Sequence, residues 1–181
     1  MNEMERVKQA QAGDAEAFSS LIADEQDKVY RMIFAYVRKE DDAVDVYQQT
    51  VMSAYENLHK LTEPAYFSTW LVRIAINKSL TYIKKRDREQ AVSPETLYLL
   101  EADTVPIAEN LDLWQALQTL NDTYKTALLL RYYSDYTIAQ IADITEQPLG
   151  TVKTQIRRGL RTLRKQLKGE AYYEFAQADD E

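Results

Sequence analysis

Residues 153–168 read KTQIRRGLRTLRKQLK, with seven basic side chains and no acid. Residues 73–88, RIAINKSLTYIKKRDR, hold six basic side chains and a single acid. The chemistry open to such stretches is capture of a polyanion, since each lysine or arginine that meets a phosphate displaces a condensed counterion. Catalytic chemistry has no comparable footing. The chain has no cysteine, which excludes disulfides, thiolate metal sites and thiol nucleophiles and fits a reducing compartment. Its one histidine, His59, provides no imidazole cluster for a metal and reads as a helix-end residue. No glycine-rich phosphate cradle is visible, and the acid pair Asp41-Asp42 reads as a helix start, where negative charge offsets the helix dipole. The expectation is a protein that is not an enzyme and needs no cofactor.

The chain as a whole is acidic, with 29 Asp and Glu against 22 Lys and Arg and a net charge of −7 over 181 residues. That average conceals segregation. Residues 89–122 carry seven acids and no lysine or arginine, and residues 169–181 carry five acids and no base. Screening acts over about 8 Å at physiological salt, so a phosphate feels the nearest patch rather than the total. With 45% apolar and 28% charged residues the composition is that of an ordinary globular protein, long enough for one or two small domains. No apolar run approaches the roughly 18 residues of a membrane span. The opening MNEMERVKQAQAGDAEAF lacks the apolar centre of a signal peptide. Together these predict a soluble, intracellular chain.

The elements that must position the basic stretches read as helical almost throughout. Gly13-Asp14 predicts a helix start, followed by Phe18, Leu21 and Ile22 and then Val29, Met32, Ile33, Tyr36 and Val37 at helical spacing. A second helix opens at Asp41-Asp42. Its predicted apolar side is Val44, Tyr47, Val51, Ala54, Tyr55 and Leu58, with Asp45, Gln48, Gln49, Met52 and Glu56 on the other. A loop containing Pro64 leads to a long helix from about Phe67 to Arg88. Its core face is expected at Phe67, Trp70, Leu71, Ile74 and Ile83, and a different face carries Arg73, Asn77, Lys84 and Arg88. Residues 91–110 hold two of the four prolines and read as an acidic linker. Periodicity resumes at Leu111 and runs through Trp114, Leu117 and Leu120 to Ala127–Leu130. The expected architecture is all-α, in two small helical domains.

Residues 137–161, TIAQIADITEQPLGTVKTQIRRGLR, carry the sharpest pattern. Thr137 and Gln140 predict a capping box at the start of a short helix. Asp143 to Gln147 are expected to form a turn, and Pro148 suits the first position of the next helix. On that helix Val152, Ile156, Leu160, Leu163 and Leu167 form one apolar seam. Two short helices with a tight turn, the second cationic, make a helix-turn-helix suited to the major groove. Thr151, Lys153, Thr154 and Gln155, near its start, are expected at base edges. Arg157, Arg158 and Arg161 are expected on phosphates, which give affinity and register but no sequence information.

These residues resemble the extracytoplasmic-function sigma factors. Leu149-Gly150-Thr151-Val152-Lys153-Thr154 is similar to the L-G-T-V-K-S of region 4, and Leu128–Tyr133 followed by Ile141-Ala142 to its L-L-R-Y…E-I-A pattern. Gly13–Phe18 resembles the family's G-D-x-x-A-F opening, Asp45–Thr50 the D-L-V-Q-E-T of region 2, and Thr69-Trp70-Leu71 with Ile74–Asn77 its T-W-L…I-A-x-N. The resemblance spans roughly residues 12 to 167 in the family's order.

The resemblance implies a region 2 domain over 1–90, a linker over 91–110, a region 4 helix-turn-helix domain over 111–170 and an acidic tail over 171–181. It implies a cytoplasmic, dissociable subunit that gives bacterial core RNA polymerase its promoter preference. Asp45, Gln48, Gln49 and Met52 would then dock on the clamp helices of the polymerase β′ subunit. Lys60, Thr62, Glu63 and Tyr66, with Asn77, Lys84, Lys85 and Arg88, would read and open the −10 element. Region 4 would read the −35 element and contact the β flap. An anti-sigma factor, in many members membrane-anchored, is the implied inhibitor. Tyr66 is the expected stacking platform for an extruded base, whereas Phe67 and Trp70 fit the core. Gln155 stands where the family often has arginine, and glutamine pairs with adenine where arginine pairs with guanine. Without the resemblance, a conventional helix-turn-helix regulator with a helical effector domain remains an alternative.

Overall fold

The computed structural model describes residues 2–92 and 111–167, and every regular element among them is helical. The chain divides into two compact units, with the division between residues 103 and 104. The linker's residues 93–110 and the acidic tail at 171–181 lie outside the described residues.

The first unit begins with α1 (Glu3–Gln11), which the periodicity does not predict. Asn2 and Glu5 form its capping box, each side chain bonding the other's backbone N–H. Gly13, at a φ of 99°, makes the turn into α2 (Ala15–Val37), a conformation that a side chain would strain. Asp14 caps α2 by accepting from the N–H groups of Glu16 and Ala17 at 3.0 Å. α2 is the spine of the unit and buries Phe18, Leu21, Val29, Met32, Ile33 and Tyr36. It ends at Arg38, left-handed at a φ of 60°, whose guanidinium lies 5.3 Å from the Phe34 ring centre.

α3 (Glu40–Asn57) starts with Glu40, Asp41 and Asp42 against the positive end of its dipole. Its buried face overlaps the expected one at Ala54, and at Leu58 just beyond the helix, but is otherwise rotated from it. Ala43, Val46, Thr50 and Ala54 are fully buried, while Val44 and Tyr55 stand 41% and 58% exposed. The reason is closeness. α3 packs against both α2 and α4, and small residues let helices approach, whereas the larger Val44 and Tyr55 are displaced outward. Thr50 satisfies its hydroxyl on the Val46 carbonyl at 2.8 Å.

Short 3-10 turns at Leu58–Lys60 and Pro64–Tyr66 carry the chain into α4 (Phe67–Val92), which continues past the expected end near Arg88. α4 buries Phe67, Leu71, Val72, Ala75, Ile76 and Ser79. Trp70, Ile74 and Ile83, expected in the core, are only half-buried.

The second unit comprises α5 (Leu111–Gln118), α6 (Asp122–Leu128) continuing through a π-helical turn over Leu129–Tyr133, α7 (Ile138–Thr145) and α8 (Leu149–Gln166). Its core joins Trp114, Leu117, Leu120, Leu128, Leu130, Ile141, Ile144, Val152, Ile156 and Leu163. The Trp114 indole meets the Tyr133 ring edge-on at 5.6 Å.

Candidate nucleic-acid interface

The Thr137–Gln140 capping box forms as expected and starts α7. The turn after it is tighter than the expected 143–147. α7 runs to Thr145, and Glu146 alone takes the left-handed conformation at a φ of 55°. Pro148 is the residue before α8 rather than its first residue, and its carbonyl accepts from Thr151 and Val152 at 2.9 and 3.1 Å. Proline serves there because its carbonyl opens the helix and its missing N–H is not needed.

Along α8 the seam of Val152, Ile156 and Leu163 is buried, and Gly159 is buried beside it. A Cβ on Gly159 would sit 3.0 Å from Leu128 Cδ1 and 3.3 Å from Tyr124 Cβ, so α8 lies close against α6. The opposite arc carries Lys153, Arg157, Arg158, Arg161, Arg164 and Lys165, all exposed. None of these six forms an ion pair among the described residues. Thr151 is exposed and Thr154 half-buried. The Thr154 hydroxyl donates to the Gly150 carbonyl at 2.8 Å and keeps its oxygen available as an acceptor. Thr151, Thr154, Gln155 and Arg158 line a polar cleft together with Asn121 and Thr123.

Gln155 does not join the exposed arc. It is 8% exposed, and its amide donates to the Gln147 side chain, tying the first turns of α8 to the turn before them. The register explains this: three residues past Val152, it falls on the flank that faces the turn.

In the first unit the loop between α3 and α4 alternates anchors with exposed groups. Leu58 and Leu61 are buried, while Lys60, Thr62, Glu63 and Tyr66 face solvent, Tyr66 at 54% exposure. The Lys60 ammonium donates to Asn57 Oδ1 at 2.7 Å. Beyond the loop, Asn77, Lys84, Lys85 and Arg88 are exposed along α4. Two cations of this helix meet acids: Lys85 lies 3.8 Å from Glu89, and Arg86 lies 3.8 Å from both Asp42 and Asp87. Beside them, burial and a hydrogen bond to Asp42 push the Tyr82 hydroxyl up to about 12.

On α3, Asp45, Gln48, Gln49 and Met52 are all exposed on one flank, Met52 at 63%. Val44 and Tyr55, displaced from the expected core, fall on the same flank and turn a polar face into a partly apolar one. Their apolar character, misplaced for water, is the signal that periodicity alone assigned to the interior. Among the described residues no helix is long and apolar enough to cross a membrane, and no group of acids and histidine is placed to hold a metal.

Comparison with known proteins places these surfaces in a family. Sigma-70 region 2 matches residues 21–89, and sigma-70 region 4 matches residues 110–163. The extracytoplasmic-function RNA polymerase sigma factor SigW of Bacillus subtilis (strain 168) is 32% identical over 178 residues, covering 90% of this chain and 95% of the relative. The RNA polymerase sigma factor SigV of the same organism is 30% identical over 149 residues, covering 82% and 90%. Among solved structures, CnrH in complex with the cytosolic domain of CnrY aligns at a TM-score of 0.67 and 20% identity, over 90% of this chain and 95% of that one. RpoE in complex with the anti-sigma factor NepR from Bartonella quintana aligns at 0.67 and 22%, over 86% and 99%. These two show the fold. With both regions in order and such relatives across nearly the whole chain, the protein belongs to the extracytoplasmic-function sigma factors, which bind bacterial core RNA polymerase and direct promoter-specific initiation.

Proposed function

We propose a division of labour among three surfaces of this sigma factor. The α8 arc enters the major groove of the −35 element, with Thr151, Lys153 and Thr154 at base edges and Arg157, Arg158 and Arg161 on phosphates. The observation that carries this is the partition of α8 into a buried apolar seam and an arc of six cations with no acid partner among the described residues. Such an arc gives sequence-independent affinity, and the threonines and lysine at the helix start add selectivity. Gln155, on the wall of the polar cleft that Thr151 and Thr154 line, fixes the turn through Gln147, so its substitution changes promoter choice through the position of α8.

The loop over Lys60, Thr62, Glu63 and Tyr66, with Asn77, Lys84, Lys85 and Arg88 of α4, captures the melted −10 strand. Unstacking a base costs a few kcal/mol, and stacking on an exposed ring such as Tyr66 offsets about 1–3 kcal/mol of it. The α3 flank of Asp45, Gln48, Gln49 and Met52, extended by Val44 and Tyr55, docks on the polymerase β′ clamp helices, and the second unit contacts the β flap. An anti-sigma factor silences the chain by covering the α3 flank. The protein acts in the cytoplasm, and catalysis belongs to the polymerase core rather than to this subunit.

Co-elution with bacterial core RNA polymerase, followed by transcription from a pool of genomic fragments, tests the whole reading. A stable holoenzyme with a small set of discrete start sites is expected. Asp45→Lys should weaken holoenzyme formation about tenfold by reversing a docking charge, with the circular dichroism spectrum unchanged. DNA binding without polymerase affinity would point instead to a conventional helix-turn-helix regulator.

A further inference from the structure

The end of α3 poses a problem of backbone chemistry. Helix ends leave carbonyl groups with no partner further along the chain, and buried ones must find a donor elsewhere. Leu58 and Leu61 are 3% and 8% exposed. The donor for the Leu61 carbonyl, and a second donor for that of Leu58, is Gln11, the last residue of α1, 47 positions before Leu58. Its Nε2 group donates to the Leu58 carbonyl at 3.0 Å and to the Leu61 carbonyl at 2.7 Å. Both amide protons are thereby used. The Leu58 carbonyl also accepts the Leu61 N–H at 3.1 Å, so the 3-10 turn is closed on itself and stapled to α1.

α1 is itself firmly held. Arg6 Nη1 lies 2.6 Å from Asp24 and donates to Ser20 Oγ at 2.8 Å, both on α2, and Val7 is fully buried. The exit of the same loop is tied as well. Ser68 donates to Glu25 at 2.8 Å and accepts from Lys28 at 2.7 Å. The segment from Leu58 to Ser68 is therefore fixed at its entry by α1 and at its exit by α2, with Lys60, Thr62, Glu63 and Tyr66 presented between.

We propose that Gln11 is a positioning residue for promoter opening. It sets the register of the loop before DNA arrives, so that the exposed groups meet an unstacked −10 base without first being ordered. A loose loop would lose its ordering entropy from the binding of that base, and pre-organisation removes the loss. The proposal rests on the reading of this loop as the −10 element's receptor.

Gln11→Glu keeps the shape, removes both donors and sets a carboxylate against two carbonyl oxygens. In holoenzyme it should lower both open-complex formation and binding of a single-stranded −10 oligonucleotide about tenfold. Core affinity and binding of −35 duplex should stay within about twofold, the range of an ordinary surface substitution. Gln11→Lys, which restores a donor, should recover most of the loss. Gln11→Ala, which adds no charge, gives a milder version should Gln11→Glu fail to fold. Normal opening by both Gln11→Glu and Gln11→Ala would overturn the proposal, as would an equal loss of core affinity, which marks general destabilisation. Tyr66→Ala run alongside separates the two levels. A Tyr66→Ala defect with normal Gln11 variants sinks the positioning role alone, whereas normal opening by Tyr66→Ala sinks the loop's role and the proposal with it.

Discussion

α4 and α8 each carry a row of cations, but their surroundings differ. In α8 the six cations from Lys153 to Lys165 form no ion pair among the described residues, and the helix contains no acid. In α4, Lys85 meets Glu89 and Arg86 meets Asp42 and Asp87. An unpaired arc attracts phosphate strongly and loses that attraction as salt rises. A row with two of its cations set beside acids presents less net charge, so the proposed strand capture leans more on the exposed Tyr66 ring and Asn77 amide. On the proposed roles, duplex capture rests on electrostatics in one unit and strand capture on stacking in the other.

The largest expected effect follows from α8. Replacing Arg157 and Arg161 together by alanine should weaken −35 duplex binding by about a hundredfold, from two charge-assisted contacts of roughly tenfold each. The log–log salt dependence should become shallower by about 1.8, from 0.9 per phosphate released. The loss should be uniform across promoters. An unchanged salt slope would break the comparison, because it would mean that the arc does not hold phosphates.

The two helices also differ in how they seat on their neighbours. α4 buries Ala75 and Ser79, whereas α8 needs Gly159 to approach Leu128 and Tyr124 of α6. Gly159→Val should destabilise the second unit by about 2 kcal/mol through overpacking. Thermal unfolding should show that loss in the second unit, with the first unit's transition unmoved. A shared shift of both would mean that the loss is not confined to the second unit.

Tyr66→Ala comes next, with about a tenfold loss of open complexes from one missing stacking partner. Its salt slope should match the unmodified protein, and Tyr66→Phe should retain function. A slope altered as strongly as in the arginine pair would merge the two modes and remove the distinction.

Much of this was legible in the residues. The caps at Asp14 and Thr137 rest on local hydrogen bonding, which sequence spacing encodes directly. The α8 seam is one strong stripe, legible although it packs against α5, α6 and α7 and although Leu160 and Leu167 are only half-buried. α3 was read partly off its buried face. Ala54 and Leu58 are buried as expected, but the core centres on Ala43, Val46 and Thr50, because the helix packs on two sides at once and small residues that apolar counting weighs lightly make its close contacts. Gln155, expected at base edges from its place in a motif, is largely buried against Gln147, and that burial was not legible because the left-handed residue of the turn, Glu146, is not a glycine that would mark it. α1 was missed although Asn2 and Glu5 mark its start with the same local capping spacing, whereas the Gln11 staple lies beyond any local pattern, its partners being 47 and 50 residues away.

The smallest predicted effect concerns how α4 is fastened to α3, through Tyr82 and Arg86 at Asp42. Burial, then the Asp42 hydrogen bond and charge, hold the Tyr82 hydroxyl protonated up to about 12, with Arg86 opposing them. Unfolded, the same hydroxyl releases its proton near 10. The folded chain therefore binds this proton more tightly. The stability it contributes is complete below pH 10 and lost as pH rises through the folded value. Tyr82→Phe cannot lose what it does not have, so its urea midpoint should fall less steeply than the parent's between pH 10 and about 12. Near pH 7 the same variant should be only slightly less stable, having lost one hydrogen bond at a half-buried site. Parallel curves over the alkaline range would show that α4 is fastened to α3 without Tyr82, leaving the Arg86–Asp42 pair and small-residue packing to do it.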